Sequence, residues 1–185
     1  KIILKDKEGF SIAILTISDI WKPDLKNEAE LVFNTLDIKH PGVNYLINHS
    51  NKFYVGGTLK LIKLPIHYDY KRIRHTPKQL KSIFESKNWN KVIAFQTRNP
   101  LHRAHVEMII EASNILNAKV LIHPVVGMTK AGDVDHYTRV RCYKHALKKI
   151  PKGLADLSLL PLAMRMGGPK EALWHAIIRK NFGCS

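Results

Sequence analysis

The sequence predicts an α/β protein in which a helix-covered parallel sheet follows a β-rich segment. In residues 70 to 185, short apolar runs alternate with longer helical patterns, an order that is typical of parallel sheets. Residues 1 to 69 instead indicate strands with one short helix. Hydrophobic residues make up 45% of the 185 positions, which is enough for a sizeable core in one or two domains.

The β-rich segment is predicted to contain two β regions separated by one helix. Alternation over residues 10–21 indicates a strand of mixed burial, and residues 51–65 indicate further β structure with Gly56-Gly57 as a bulge or turn. Asp24 is a candidate helix cap, and His40-Pro41-Gly42 is predicted to break the helical pattern. The apolar residues at helical spacing between them are Leu25, Ala29, Val32, Phe33 and Leu36.

The alternating part begins with a strong helix start near residue 76. Thr76 is a candidate cap, Pro77 suits the first helical position, and Gln79 occupies the capping-box position. Three strand–helix pairs are predicted to follow this helix. The strands are expected at 91–96, 119–124 and 157–162, and the helices at 100–116, 136–149 and 169–182.

Helical spacing also predicts which side of each helix is buried. The buried side is expected to comprise Leu80, Ile83 and Phe84 in the first helix, Leu101, Ala104, Met108, Ala112 and Ile115 in the second, and Val140, Tyr143 and Leu147 in the third. In open parallel sheets, ligands bind beyond the carboxyl ends of the strands. Polar residues occupy all three strand-to-helix loops, so the sequence predicts a ligand site at that edge.

The first of these loops, residues 96–105, has the features of a helix start that binds an anion. Asn99 is a candidate cap, and Pro100 suits a position where a missing N–H costs nothing. His102 and His105 are three residues apart and are predicted to share one face of the first turn. Unpaired N–H groups and the helix dipole attract anions at such an end.

Two further side chains of this loop suit an oxyanion. The planar guanidinium of Arg98 can bind two phosphate or sulfate oxygens at once, and the amide of Gln96 can donate to another. An incidental histidine pair is the alternative to a functional one. A metal site is a further alternative, although the spacing differs from that of the HExxH helix and no third ligand is evident.

The second loop, within residues 123–141, combines glycine with charged residues. Gly127 and Gly132 permit a close backbone approach, and Lys130 adds a positive charge. Asp133 and Asp135 are candidates either to cap the next helix or to orient basic groups. A surface loop with ordinary capping is the alternative interpretation.

The third loop repeats the order of the first, since an arginine after a strand precedes a proline-opened helix. Arg165 lies between Met164 and Met166, and Gly167-Gly168-Pro169 begins the helix. Core packing is the alternative for the two methionines. An arginine between apolar neighbours at the mouth of a sheet favours an anionic partner.

The charge balance also favours anionic partners. Thirty Lys and Arg against 15 Asp and Glu leave a net charge of +15, which suits nucleotides, oxyanions, nucleic acid or acidic membranes. Two cysteines do not form a disulfide framework, so a reduced, cytoplasmic setting is expected. The sequence contains no apolar run of membrane-spanning length and no evident signal peptide, and it begins at Lys1 rather than Met. The chain is expected to be part of a longer one.

Several long motifs resemble those of the ATP sulfurylase (sulfate adenylyltransferase) family, in the family's order. They are EAELVFNT, HPGV, YVGGTL, QTRNPLHRAH, HPVVGMTKAGDVDHYTRVRCY and LPLAMRMGGPKEALWHAIIRKNFGC. The resemblance covers nearly the whole chain. It implies part of a PUA-like β-rich domain over residues 1–69 and a C-terminally incomplete, Rossmann-like nucleotidyltransferase domain over residues 70–185.

The resemblance implies a reaction in sulfate assimilation that converts ATP and sulfate to adenosine 5′-phosphosulfate (APS) and pyrophosphate. Sulfate would attack the α-phosphate in line, without a covalent enzyme intermediate, and Mg²⁺ would arrive with ATP. The residues matching catalytic positions are Thr97, Arg98, Asn99, His102 and His105. Gln96 and Arg98 match the sulfate site, and the ATP site would comprise Gln96, Thr97, Arg98, Asn99, His102, His105 and Arg165.

Family members continue beyond the NFGC motif into a GRDHA-type loop that completes the site, so weak or no turnover is expected of these 185 residues alone. The family is commonly homo-oligomeric, and no nucleic-acid or membrane partner is expected. The alternatives are another HxxH-type adenylyltransferase and a basic RNA-binding module, which the charge and a PUA-like domain would permit. Against RNA binding, the sequence shows no aromatic stacking platform.

Overall fold

A computed structural model describes residues 1–128 and 132–185 and divides the chain into two units, Lys1–Asp69 and Tyr70–Ser185. The first unit contains an antiparallel sheet with strands in the order β1 (Ile2–Lys5), β2 (Ser11–Trp21) and β3 (Tyr54–Leu61). The register between β2 and β3 shifts opposite the predicted glycine bulge. A Cβ at Gly57 would lie 2.1 Å from the carbonyl oxygen of Thr16, so this close approach requires glycine.

The first unit contains two helices rather than the predicted one. Helix α1 (Leu25–Phe33) begins at the predicted cap, where the Asp24 carboxylate accepts from the N–H of Asn27 at 3.0 Å. Helix α2 (Pro41–His49) begins where a break was predicted. The reason is that His40 caps it through Nδ1, which accepts from the N–H groups of Gly42 and Val43, while Pro41 occupies the first turn.

The second unit begins with the predicted capping box. Helix α3 (Pro77–Ser86) starts after Thr76, whose hydroxyl accepts from the N–H of Gln79 at 3.3 Å, while the Gln79 side chain accepts from the N–H of Thr76 at 2.8 Å. Its buried residues, Leu80 and Phe84, were both predicted. The sequence therefore determines this helix locally, before any tertiary contact.

A three-stranded parallel sheet forms the centre of the second unit and confirms the predicted fold class. Its strands, in spatial order, are β4 (Val92–Phe95), β5 (Lys119–Ile122) and β6 (Ala155–Leu157). Three helices follow these strands, α4 (Arg103–Leu116), α5 (His136–Leu147) and α6 (Gly168–Asn181). Strand β6 is earlier and shorter than predicted, because beyond it the described part of the chain pairs again at a single bridge, between Val125 and Leu160.

The predicted inner face is confirmed for α5 and wrong for α4. In α5, Val140 and Tyr143 are fully buried. In α4, Met108 and Ile115 are 50% and 72% exposed, and the buried residues are Val106, Ile109 and Ser113. The prediction failed because it counted Leu101 as helical. Leu101 is buried, but it precedes the helix and does not set the phase of the helix.

Candidate active site

Three loops leave the carboxyl ends of β4, β5 and β6 and are joined to one another by main-chain hydrogen bonds. The N–H of Val125 donates to the carbonyl of Thr97 at 3.2 Å, which links the first loop to the second. The N–H of Gly127 donates to the carbonyl of Leu162 at 3.1 Å, and the N–H of Met164 donates to the carbonyl of Met128 at 2.8 Å. The polar residues of the three loops that the structure describes therefore lie at one edge of the sheet, as predicted.

The first loop turns tightly around Thr97, which is buried. The Thr97 hydroxyl accepts from the N–H of Asn99 at 3.0 Å and lies 3.1 Å from the carbonyl oxygen of the same residue, to which it donates. The sequence suggested that Asn99 caps the helix, but it does not, and Pro100 lies outside the helix. The helix starts three residues later because the threonine hydroxyl already satisfies the Asn99 backbone, and His102 occupies the cap position.

The two histidines lie together at the start of α4, as the cap residue and the third helical residue. Their ring centroids are 3.8 Å apart, and Nδ1 of His105 accepts from the N–H of His102 at 3.4 Å. The His105 ring also meets Phe95 edge-on, with centroids 5.8 Å apart. Burial, and secondarily the neighbouring His102, lowers the pKa of His105 below its ordinary value, which favours the neutral ring.

Arg98 is held at both its side chain and its backbone by the part of the chain that follows β5. Its guanidinium is hydrogen-bonded to both carboxylate oxygens of Asp133. Its carbonyl accepts from Nη1 of Arg139 at 3.0 Å. Asp135 caps α5 by accepting from the N–H of Thr138 at 3.0 Å. The two predicted roles are thus divided, since one aspartate caps the helix and the other orients a basic group.

Lys130, the positive charge predicted in the second loop, lies outside the described residues. The close approach predicted at two glycines is present at Gly127 but not at Gly132, where an added Cβ would meet none of the described residues within 4 Å. A Cβ at Gly127 would lie 2.4 Å from the carbonyl oxygen of Leu162, well inside van der Waals contact. Glycine is therefore required where the second loop meets the third.

The third loop is held by the carboxylate of Glu171, which the sequence did not single out. One carboxylate oxygen accepts from the N–H of Arg165 at 2.6 Å and the other from the N–H of Gly167 at 3.1 Å. Nε2 of His175 lies 3.5 Å from the same carboxylate. Met166 has a φ of 60°, so this clamp holds the loop in a left-handed conformation that favours glycine. Arg165 is exposed.

A cavity of about 890 Å³ lies beside the first and third loops. Nε2 of Gln96 donates to Sδ of Met164 at 3.7 Å across it, and Oε1 of Gln96 is buried without a hydrogen-bond partner among the described residues. Helix α6 turns Glu171, His175 and Arg179 inward along this cavity. Burial lowers the pKa of His175 and lowers that of Arg179 to about 10.

Sequence reasoning missed Arg139 and Glu171, the two residues that hold the first and third loops. Both are the fourth residue of their helix and both are buried. For Arg139, its place in the helix could have indicated burial. It lies one turn before the buried Tyr143 and so shares the inner face of α5. Within residues 1–128 and 132–185, no three His, Cys, Asp or Glu side chains cluster in a way that could hold a metal ion.

The fold and these loops define an α/β protein with a basic, histidine-containing site at the carboxyl edge of a parallel sheet. The ATP-sulfurylase family model matches residues 71–185, and a model described as a PUA-like domain matches residues 1–64. The chain belongs to the ATP-sulfurylase family.

The curated relatives have the same family name and are longer than this chain. Sulfate adenylyltransferases of Kluyveromyces lactis, Saccharomyces cerevisiae and Schizosaccharomyces pombe are 58%, 56% and 58% identical over 99–100% of the chain. The chain spans only 36–38% of their length. A solved structure described as a hexameric APS kinase from Thiobacillus denitrificans matches 99% of the chain and 32% of its own, at 29% identity and a TM-score of 0.77.

Among the described residues, none of the helices is long and apolar enough to cross a membrane.

Proposed function

We propose that the protein to which this chain belongs is a sulfate adenylyltransferase that converts ATP and sulfate to APS and pyrophosphate. The observation that carries the proposal is the first loop. It brings Arg98 and the two histidines to a helix start at the carboxyl edge of a parallel sheet, in a member of the ATP-sulfurylase family. We assign residues 1–69 to a PUA-like domain and residues 70–185 to the catalytic domain.

Sulfate binding is assigned to Gln96 and Arg98. The guanidinium of Arg98 matches an oxyanion in shape and charge, and hydrogen bonds to both carboxylate oxygens of Asp133 hold it in place. A turn of the Gln96 amide away from Met164 would exchange a weak bond to sulfur for a bond from its NH₂ group to an anion. Both side chains could then bind the attacking sulfate.

ATP binding is assigned to residues 96–99 of the loop, to the two histidines and to Arg165. Because Nδ1 of His105 accepts a backbone hydrogen bond, the proton of the neutral ring lies on Nε2, where it can be donated to a phosphate oxygen. His102 is exposed beside the helix N-terminus, whose dipole also attracts phosphate. The fixed turn at Thr97 and Asn99 would keep Arg98 in line with the α-phosphate.

These residues would act by positioning and by stabilising charge. Sulfate oxygen attacks the α-phosphorus as the bond to pyrophosphate breaks, so negative charge is transferred to the leaving group and no enzyme nucleophile is required. Preorganised donors that face this charge lower the barrier most. Magnesium is expected as part of the nucleotide substrate, since it prefers phosphate oxygens and water to dedicated protein cages. A homo-oligomer without nucleic-acid or membrane partners, in the cytoplasm, completes the proposal.

The test is release of pyrophosphate from ATP by the full-length gene product, with and without sulfate. Release that depends on sulfate is expected, and molybdate or selenate should compete with sulfate. Pyrophosphate release that is stimulated by an organic phosphate but not by sulfate would favour another adenylyltransferase. No release under either condition, together with salt-dependent RNA binding, would favour the RNA-binding alternative.

Arg98→Ala tests the assigned site directly. Loss of one preorganised contact to developing charge should lower kcat/KM about 10²–10³-fold. Arg103→Ala is the matched control, because Arg103 is exposed and pairs only loosely with Glu107, at 3.6 Å. Near-native turnover in Arg98→Ala would remove Arg98 from the site, whereas an equal loss in both variants would point to a general effect of charge.

A further inference from the structure

Arg139 is a buried cation in an electrostatically unfavourable place. Arg139 is only 2% exposed. It is the fourth residue of α5 and lies near the positive end of the helix dipole. Within the described part of the chain, no carboxylate forms an ion pair with it. Burying an unpaired charge costs several kcal/mol in a protein interior. Stability alone therefore does not explain an arginine at this position.

The contacts of Arg139 show what the guanidinium does. Nη1 donates to the carbonyl of Arg98 at 3.0 Å and to the carbonyl of Val125 at 3.0 Å. These carbonyls belong to the loops after β4 and β5, which are also joined by the bond from Val125 N–H to the Thr97 carbonyl. One nitrogen thus holds two adjacent loops together at the residue that is assigned to the oxyanion.

We infer that Arg139 is a positioning residue for sulfate transfer, which acts by fixing the backbone of Arg98. The inference rests on the proposed function. Arg139 is buried, and its hydrogen bond to the first loop goes to the backbone of Arg98, so it does not reach substrate. Its effect is transmitted through the Arg98 carbonyl, which lies three bonds from the Cβ of the side chain that binds the oxyanion.

This geometry predicts that lysine cannot replace Arg139. A lysine keeps the charge but lacks the planar guanidinium whose fixed angles direct one nitrogen at two carbonyls. The first loop would then shift relative to the second, and a displacement of about 1 Å at a reacting group can cost about 10²-fold in rate. Arg139→Gln keeps a donor and removes the buried charge, so it separates the position of the loop from the cost of burying the charge.

Ser113 offers a matched control at the opposite end of the sheet. It is buried in α4, and its hydroxyl donates to the carbonyl of Ala118 at 2.6 Å, just before β5 begins. Ser113→Ala therefore also deprives a main-chain carbonyl of its side-chain donor, but far from the first loop. It reports what such a loss does to stability alone.

The experiment compares Arg139→Lys, Arg139→Gln and Ser113→Ala in the full-length gene product, by sulfate-dependent pyrophosphate release and by thermal denaturation. Each Arg139 variant should lower kcat 30- to 100-fold, about the cost of a 1 Å displacement, with the KM for ATP within about threefold of wild type. Ser113→Ala should keep kcat within about twofold while its Tm falls. In an Arg98→Ala background, Arg139→Gln should lower kcat by less than about threefold, because two residues that act through one contact are not additive.

Two outcomes would overturn the inference alone. One is an active wild type in which both Arg139 variants retain kcat within about threefold, and the other is a full, independent loss of kcat in the Arg98→Ala background. A wild-type protein that releases no pyrophosphate with sulfate overturns the proposed function and, with it, the assigned step. The wild-type rate and the variant-to-wild-type ratio therefore report the two failures separately.

Discussion

Arg139 and Glu171 occupy matching places and carry opposite charges. Each is the fourth residue of a helix that follows a strand of the sheet, each is buried, and each makes two hydrogen bonds to main-chain groups, Glu171 in one loop and Arg139 in two. Glu171 accepts from two N–H groups four and six residues before it, at a helix end whose dipole favours an anion. Arg139 donates to two carbonyls that lie 41 and 14 residues before it, against the dipole.

Glu171 thus makes hydrogen bonds that are local in the sequence, whereas those of Arg139 are long-range. Glu171 organises the loop directly before its own helix, in agreement with the electrostatics of that helix. Arg139 connects the loop that precedes its own helix with the loop that precedes α4, at an electrostatic cost. The third loop should therefore depend on α6 for its stability, whereas the first loop depends on α5 for its position.

Glu171→Ala should have the largest effect on stability. It removes the acceptor of two N–H groups, of which that of Gly167 is buried, and each unsatisfied buried group costs about 1–3 kcal/mol. A fall of about 2–4 kcal/mol in the free energy of unfolding is expected from urea denaturation. Glu171→Gln is the control, because it retains one acceptor oxygen and should lose about half as much. A loss below about 0.5 kcal/mol in Glu171→Ala would remove the carboxylate as the anchor of the third loop.

Protonation of His123, in the loop after β5, should destabilise the protein, because it would place a further charge in the interior. Burial, and then Arg179 and His75, lowers the pKa of His123 to about 3. Since the pKa in the unfolded chain is about 6.5, the stability from keeping this ring neutral is present above pH 6.5 and is lost as the pH falls towards 3. The slope is about 1.4 kcal/mol per pH unit, or at most about 2 kcal/mol between pH 6.5 and 5.

His123→Phe keeps a ring of similar size against Phe182 and cannot be protonated. Urea titrations at pH 5, 6 and 7 should show a shallower acid dependence in this variant than in wild type, by up to one proton. Equal slopes in the two proteins would mean that His123 is protonated with equal ease in the folded and unfolded states. Such a result would contradict its burial among the cations.

Arg139→Met should have the smallest effect on stability. It deprives two carbonyls of a donor, but it also removes a buried cation that opposes the helix dipole, so the two effects partly offset each other. A net loss of about 1 kcal/mol in the free energy of unfolding is expected, less than for Glu171→Ala. The comparison fails if Arg139→Met is the more destabilising of the two in the same urea titration.

The elements of the second unit could be predicted wherever short-range patterns determine them. Thr76, Pro77 and Gln79 define a helix start by themselves, and the strand–helix alternation predicts the parallel sheet. Helix α2 was missed because a histidine, which is not a usual cap, supplies its capping acceptor. The buried face of α4 was assigned wrongly because the helix starts only after Leu101. The Thr97 hydroxyl closes a separate turn with the N–H of Asn99 before the helix begins.

The candidate site was predictable only in part, for a related reason. Gln96, Arg98, His102 and His105 share one short segment, and their chemistry is evident from the segment itself. The bond from Arg139 to the Arg98 carbonyl joins residues 41 positions apart, and no local pattern reports it. Asp133 was recognised as a choice between two roles, and only the folded loop decides between them.

The bonds that join the three loops use main-chain atoms from Thr97, Val125, Gly127 and Leu162. Because these atoms are the same in every residue other than proline, most substitutions at the residues that make these bonds leave the spacing of the loops unchanged. Position 127 is the exception, since a side chain there would meet the Leu162 carbonyl. The frame of the site is thus independent of most of its side chains. Substrate preference could change by substitution at this edge while the distances between the loops stay fixed.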